Sequence, residues 1–235
     1  MQLFYDKNIN KDDTQFTFDK TESKHIIRVL RKQEDDKLFI TNGKGYLFTS
    51  VISVANDKRC TVNITKAELF ETLLNYNLHI VIAPTKNNQR LEWFLEKATE
   101  IGISEITPII CDNSERKVIK NERLEKVLVS AMKQSKRFYL PILNDAISFK
   151  KFINKDIKGL KFIAHCEETD KQTLKNQLEK EKDITILIGP EGDFSLSEIL
   201  LALENNFKPV SLGKSRLRTE TAGIVAAHSV AFINE

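Results

Sequence analysis

The sequence predicts a chain in two parts, a small antiparallel β-barrel over residues 1–70 and an α/β domain over residues 77–235. Three observations predict this division. The first seventy residues carry short, alternating apolar runs rich in β-branched and aromatic side chains. Beyond residue 77, compact apolar runs alternate with amphipathic helical stripes. The polar stretch "ETLLNYN", residues 71–77, lies between the two regimes.

In the first part, "QLFY", "KLFIT", "YLFTSVISV" and "RCTVNIT" read as strands, with "NGKG" and "ANDK" as turns. "ESKHIIRVLR" breaks the alternation and reads as one helix with Ser23 as its N-cap. In the second part "LHIVIAP" is a strand. The helix "NQRLEWFLEKATEIG" follows it, with Leu91, Phe94, Leu95, Ala98 and Ile101 on one face. "EITPII", "LKFIAHC", "ITILIG" and "KPVSLG" have the continuous apolar character of parallel strands covered on both faces. Helices are expected over 121–136, 170–181 and 195–205, and from about Thr219. In such a domain a ligand is expected at the carboxyl ends of the strands.

Composition narrows the function classes. Hydrophobic residues make up 41% and charged residues 29%, as in ordinary globular proteins. A net charge of +3 means that any affinity for nucleic acid must come from local clustering. No apolar run is long enough to span a bilayer, and the start "MQLFYDKNINKDD" lacks signal-peptide character, so a cytoplasmic location is expected. Cys60, Cys111 and Cys166 form no CxxC pair, which argues against a disulfide framework and against a metal site.

Two loops carry the functional signal. "TILIGPEGDFSLSEI" (185–199) and "VSLGKSRLRTETAG" (210–223) each pass from a strand through a glycine-bearing loop into a helix. Gly189 and Gly192 permit backbone shapes and close approaches that a side chain would block, and Pro190 stiffens the turn. A tight strand-to-helix turn would account for either loop alone; two close together suggest a ligand pocket. "LGKS" at 212–215 imitates the end of a Walker A loop, but the earlier glycine falls on Lys208, and no GxGxxG follows any strand. His25, His79, His165 and His228 sit in no nucleophile motif, and His228, in an apolar helix, reads as a packed core residue. "HCEE" (165–168) borders the same strand edge, with Cys166 read as a small hydrophobe.

"IGPEGDFSLSEI", "SLGKSRLRTETA" and "EWFLEKATEIGISEITPI" together resemble the RsmE family of ribosomal RNA methyltransferases. "HIIRVLRKQEDDKLFITNGKG" is similar to that family's RNA-binding barrel and "ERLEKVLVSAMKQSKRFYLP" to its middle helix. The resemblance implies a PUA-like barrel followed by a SPOUT-type α/β domain with a C-terminal trefoil knot. It also implies methylation of uridine N3 in small-subunit ribosomal RNA with S-adenosyl-L-methionine. The implied cofactor residues are His165, Ile188, Gly189, Pro190, Glu191, Gly192, Leu212, Gly213, Leu217, Arg218, Thr219, Glu220, Thr221 and Ala222. The implied partners are the RNA itself or the assembled small ribosomal subunit, and a second copy of the chain, with no membrane and no metal.

An imide nitrogen must lose its proton to accept a methyl group, so Glu191, Arg218 and Glu220 are the catalytic candidates. Arg218 can steady charge on the pyrimidine or grip a phosphate, while each carboxylate also reads as a cap or loop brace. Between residues 115 and 137, eight Lys or Arg face three Glu. The candidate RNA contacts are Arg116, Lys133 and Arg137 there, with Arg28 and Arg31 in the first part. Three positions where the family often has glycine depart from it: Asp35, Lys136 and Asp193, the last beside the cofactor loop. The small residues and apolar face of "TAGIVAAHSVAFI" suit a homodimer interface. Two alternatives stay open: a SPOUT enzyme acting elsewhere, such as a ribose 2′-oxygen, and a non-catalytic RNA-binding protein. The uninterrupted GPEG and RLRTETAG segments speak against the latter.

Overall fold

The structure is a computed structural model that describes residues 2–72, 74–168 and 170–235. The chain divides into two compact units, Met1–Leu73 with Met132–Leu140, and Leu74–Ala131 with Pro141–Glu235.

The first unit contains β1 (Leu3–Tyr5), β2 (Gln15–Thr17), α1 (Lys20–Lys24), β3 (Lys37–Thr41), β4 (Tyr46–Val54) and β5 (Thr61–Leu69). Its sheet has the order β1-β3-β4-β5-β2. The sheet is mixed, which corrects the expectation of antiparallel pairing throughout: β1 runs parallel to β3. A long connection carrying β2 and α1 lets the chain return in the same direction, which a short hairpin could not do. Phe4, Phe18, Ile26, Phe48 and Val62 fill the core of this unit.

The first helix also begins earlier than expected. Asp19, in extended backbone, is its N-cap, and its carboxylate accepts the Glu22 N–H at 2.7 Å. Ser23 is buried one turn inside the helix. Its hydroxyl donates to the Phe18 carbonyl and accepts the Cys60 N–H, fixing the helix to the start of β5.

Residues 132–140 complete this unit from far along the chain. The Gly45 N–H donates to Phe138 O at 2.8 Å and the Leu140 N–H to Gly43 O at 2.9 Å. The Phe70 and Phe138 rings meet at 4.7 Å.

The second unit begins with β6 (Asn77–Ile82), α2 (Asn88–Ile101), β7 (Glu105–Ile110) and α3 (Asn121–Gln134), whose last turn crosses the division. It continues with β8 (Ile142–Leu143), β9 (Ile147–Ser148), α4 (Phe149–Ile153), β10 (Leu160–Ala164) and β11 (Gln172–Thr173). Then come β12 (Asp183–Ile188), α5 (Leu196–Glu204), β13 (Lys208–Ser211) and α6 (Thr219–Asn234).

The strands form a parallel sheet of order β11-β13-β10-β12-β6-β7-β8, and β9 extends the far end of β7. Helices cover both faces, which is why these strands read as unbroken apolar runs. On one face α4 and α5 bring Phe149, Phe152 and Ile199 against Val81, Ile163 and Leu187. On the other, α6 lies against α2, β6 and β12. A Cβ on Gly223 would come within 2.6 Å of the Phe94 ring and 3.0 Å of Ile82, so only glycine admits that approach.

Two further expectations need correction. The helix predicted over 170–181 is absent. β11 and a single 3₁₀ turn (Leu174–Asn176) stand there, because β11 pairs with β13 while Leu174 and Leu178 still bury their side chains. His228 is exposed, not packed in the core. Gly223, Ala226, Ala227 and Val230 occupy the buried face of α6, leaving the His228 ring beside Phe232 at 6.0 Å. Among the described residues no helix is long and apolar enough to cross a membrane, and no cluster of side chains could hold a metal ion.

Candidate functional site

Four loops meet at the carboxyl edge of the parallel sheet, following β6, β10, β12 and β13. From β6 the chain moves to one side through β7, and it later returns on the other side through β10 and β12. The crevice outside such a reversal is the preferred ligand position in open parallel sheets. Ala83 N–H donates to Ile188 O at 2.9 Å, so the first and third of these loops leave the sheet together.

The 189–193 turn closes through the Asp193 N–H, which donates to Pro190 O at 2.9 Å. Neither Gly189 nor Gly192 has a positive φ. What they provide is close approach: an added Cβ would sit 3.1 Å from the Phe194 ring or 3.2 Å from the Asn113 Cβ. The left-handed residue of the turn is Asp193, with φ 64°. Asp35 (φ 68°) and Lys136 (φ 55°), the other two departures from glycine, are left-handed as well. In the later loop Gly213 has φ 151°, and nothing crowds its missing Cβ, so there the backbone itself requires glycine.

The two glycine loops are tied to each other. Thr219 Oγ1, at the start of α6, donates to Gly189 O at 3.0 Å, and Arg216 donates to Glu191 O at 3.4 Å. Between them lies a cavity of about 290 Å³ whose walls include Ile188, Gly189, Pro190, Glu191, Leu217, Arg218, Thr219 and Ala222. An adjoining cavity of about 400 Å³ adds His165, Leu212 and Gly213, sharing Leu217 and Ala222 with the first. Small-ligand sites are commonly of this size. Gly192, Glu220 and Thr221 line neither cavity. Gly192 is held from behind by Asn113, which donates to its carbonyl at 3.2 Å.

The polar groups have distinct settings. His165 is 7% exposed, and both of its ring nitrogens are buried without a partner. Burial, with the nearby Lys171 ammonium, holds its pKa below the ordinary value, so the ring is neutral near pH 7. A neutral imidazole offers one donor and one acceptor to whatever enters the cavity.

Glu191 Oε1 accepts the Lys86 N–H, while Oε2 is buried without a partner. Glu220 is 6% exposed; Arg90 Nε lies 3.7 Å from its Oε1, and its Oε2 is also buried without a partner. Arg218 is the N-cap residue of α6.

Four of the five basic candidates fall in the first unit. Arg28 is exposed but paired with Asp57 at 2.6 Å, and Arg31 is exposed in left-handed backbone. The Lys133 ammonium stands 5.7 Å over the Phe4 ring, and Arg137 is partly buried. Arg116, in the second unit, donates to Lys86 O at 2.8 Å and so braces the loop after β6. That loop with its Lys86, and Arg90 in the first turn of α2, were missed from sequence as parts of the site. The signal was present, since the loop also follows the carboxyl end of a buried strand.

Residues 72–231 match the RNA methyltransferase domain family, and residues 18–65 match the RNA methyltransferase PUA domain family. A ribosomal RNA small subunit methyltransferase E of Rickettsia conorii is 31% identical, over 88% of this chain and 84% of its own length. A crystal structure of a probable rRNA-methyltransferase from Porphyromonas gingivalis superposes with a TM-score of 0.91 at 40% identity, covering 100% of this chain and 98% of that one. A ribosomal RNA small subunit methyltransferase E from Neisseria gonorrhoeae, bound to S-adenosyl methionine, gives 0.83 at 26% identity, covering 100% and 98%.

Proposed function

The chain belongs to the family of ribosomal RNA small subunit methyltransferase E, and from that premise we propose that it methylates N3 of a uridine in small-subunit ribosomal RNA, using S-adenosylmethionine. The observation that carries this reading is the junction of the two glycine loops, where Thr219 bonds Gly189 at the mouth of the cavity. The residues present fit the cofactor. Ile188, Leu217 and Ala222 offer apolar walls for a flat heterocycle, and the unpartnered His165 ring offers polar contacts. When bound, S-adenosylmethionine supplies an activated methyl group.

The protein's part is alignment, charge and proton control. Glu191 and Arg116 fix the Lys86 segment beside the cavity. Arg218 stabilises negative charge as the imide is deprotonated. Glu220, steadied by Arg90 and next to the cavity-lining Thr219, stands behind the cavity wall and is the candidate to take the proton through one water.

The same reading assigns residues 1–70, completed by residues 132–140, to a PUA-like RNA-binding barrel, and the rest of residues 77–235 to a SPOUT-type domain with a trefoil knot at its carboxyl end. Support for the barrel is the five-stranded sheet β1-β3-β4-β5-β2 over one apolar core, which Ile26 and Phe18 also enter. Support for the knot is the placing of the late strand β13 inside the sheet, between β10 and β11. Arg28, Arg31, Lys133 and Arg137 hold the RNA phosphates, and the substrate is ribosomal RNA, free or in the small subunit. The enzyme acts in the cytoplasm as a homodimer. The outer side of α6 supports the dimer, since Phe232 is 70% exposed beside His228.

Mass spectrometry of small-subunit ribosomal RNA nucleosides, from cells with and without the gene, tests the proposal. A 3-methyluridine signal should vanish with the gene and return with the intact copy.

A further inference from the structure

The Asp193 carboxylate accepts two backbone hydrogen bonds, one within its own turn and one that joins it to a separate loop of the candidate site. Its backbone is left-handed, a conformation that L-residues with side chains adopt rarely. Oδ1 accepts the N–H of the next residue, Phe194, at 2.8 Å. Oδ2 reaches across to the loop after β10 and accepts the Cys166 N–H at 2.6 Å. From behind, Asn113 donates to the Asp193 carbonyl at 3.1 Å, so the turn is held on both sides. Asp193 and Cys166 both line the 290 Å³ cavity, along with Arg216 and Glu191. The Asp193 side chain therefore does two things at once: it fixes the distance between two cavity walls, and it places a carboxylate on one of them.

We propose that Asp193 is a positioning residue that ties the 165–168 loop to the 189–193 turn and makes the cavity prefer a cationic sulfonium donor over the neutral thioether left after methyl transfer. This rests on the reading that the cavity holds S-adenosylmethionine. The chemistry is simple. Donor and product differ by one methyl group and one positive charge at sulfur, so shape discriminates them weakly and a fixed charge does so well. Hydrogen bonds from two backbone N–H groups hold the carboxylate in place, facing the cavity wall. Tying the wall to the turn also removes conformations that a ligand would otherwise have to select against.

Isothermal titration of the intact protein with S-adenosylmethionine and with S-adenosylhomocysteine tests this, alongside melting curves. In Asp193→Asn, which keeps size and one acceptor oxygen, the preference for donor over product should fall about tenfold. In Asp193→Gly the backbone relaxes, so the melting temperature should hold or rise while both ligands bind more weakly. An unchanged donor-to-product ratio in Asp193→Asn would overturn the charge role. Undiminished binding of both ligands to Asp193→Gly would overturn the tether. If the wild-type protein bound neither nucleoside, the cofactor reading itself would fall, and the proposal with it.

Discussion

Glu191 accepts the Lys86 backbone N–H at 3.0 Å, and Arg116 donates to the carbonyl of that same Lys86 at 2.8 Å. One residue of the loop after β6 is thus gripped at both ends, by a carboxylate from the GPEG turn and a guanidinium from the segment after β7. That contact favours the brace reading of Glu191 over the catalytic one. Glu191→Gln retains an acceptor oxygen and should keep methylation within about threefold, whereas Glu191→Ala should lower stability by about 1 kcal/mol. Single-turnover methylation and thermal unfolding measure the two effects. A loss above about a hundredfold in Glu191→Gln would restore this carboxylate to the role of base.

Glu220 is set differently. Its partner Arg90 comes from α2, and one buried oxygen stays available. Glu220→Gln should reduce kcat by about a hundredfold while cofactor affinity stays within about twofold. Equal losses in kcat and in affinity would mark Glu220 as structural.

The basic residues of the first unit should not contribute equally to RNA binding. Arg28 already has an ion-pair partner in Asp57, whereas the exposed Arg31 has no ion-pair partner among the described residues. Arg31→Ala should weaken RNA binding at all sequences tested and lower the slope of log K against log salt by about 1. Arg28→Ala should have the smaller effect. Filter binding across a salt series decides between them.

Acidification should destabilise the protein through two histidines. Burial holds His79 below its ordinary pKa, with Glu105 opposing the shift, and burial with Lys171 does the same at His165. As pH falls through about 6.5 the unfolded chain takes up protons that the folded chain refuses, so stability is complete above that pH and declines below it. Glu198, whose pKa burial raises, acts with the opposite sign and only in the lower, carboxylate range. Melting temperature should therefore drop between about pH 7 and 5.5, and drop less in His165→Gln. A flat profile would contradict the burial of these rings.

The proposed homodimer predicts an effect at Phe232, an aromatic side chain left in solvent on α6. Phe232→Asp should shift light-scattering mass from dimer to monomer without lowering the melting temperature of the monomer. A wild-type protein that is monomeric at micromolar concentration would reject the assembly.

The regular parts of the fold were legible because burial on two faces leaves a plain signature. Ile184, Ile186, Leu187 and Ile188 could form little except an interior strand. The segment around Leu174 misled because two leucines four apart imitate a helical stripe, whereas pairing of β11 with β13 decides the backbone. Ser23 misled in a similar way. A serine before an apolar run is a good N-cap, but Asp19 occupies the extended position four residues earlier. The glycine loops announced a site, yet the contacts that shape it come from Asp193, Asn113, Arg116 and Lys86. Pairs 27 to 105 residues apart in the chain have no local pattern to betray them.

The return of residues 132–140 to the first unit bears on how such a protein could be cut or recombined. A gene fragment ending near residue 73 would encode five strands but not the segment whose Phe138 and Leu140 satisfy the turn at Gly43 and Gly45. The exposed turn would hold two unpaired backbone groups, and Phe70 would lose its ring neighbour. The amino-terminal part is therefore no interchangeable cassette. A domain swap made at the obvious linker would separate a fold from a piece of its own sequence.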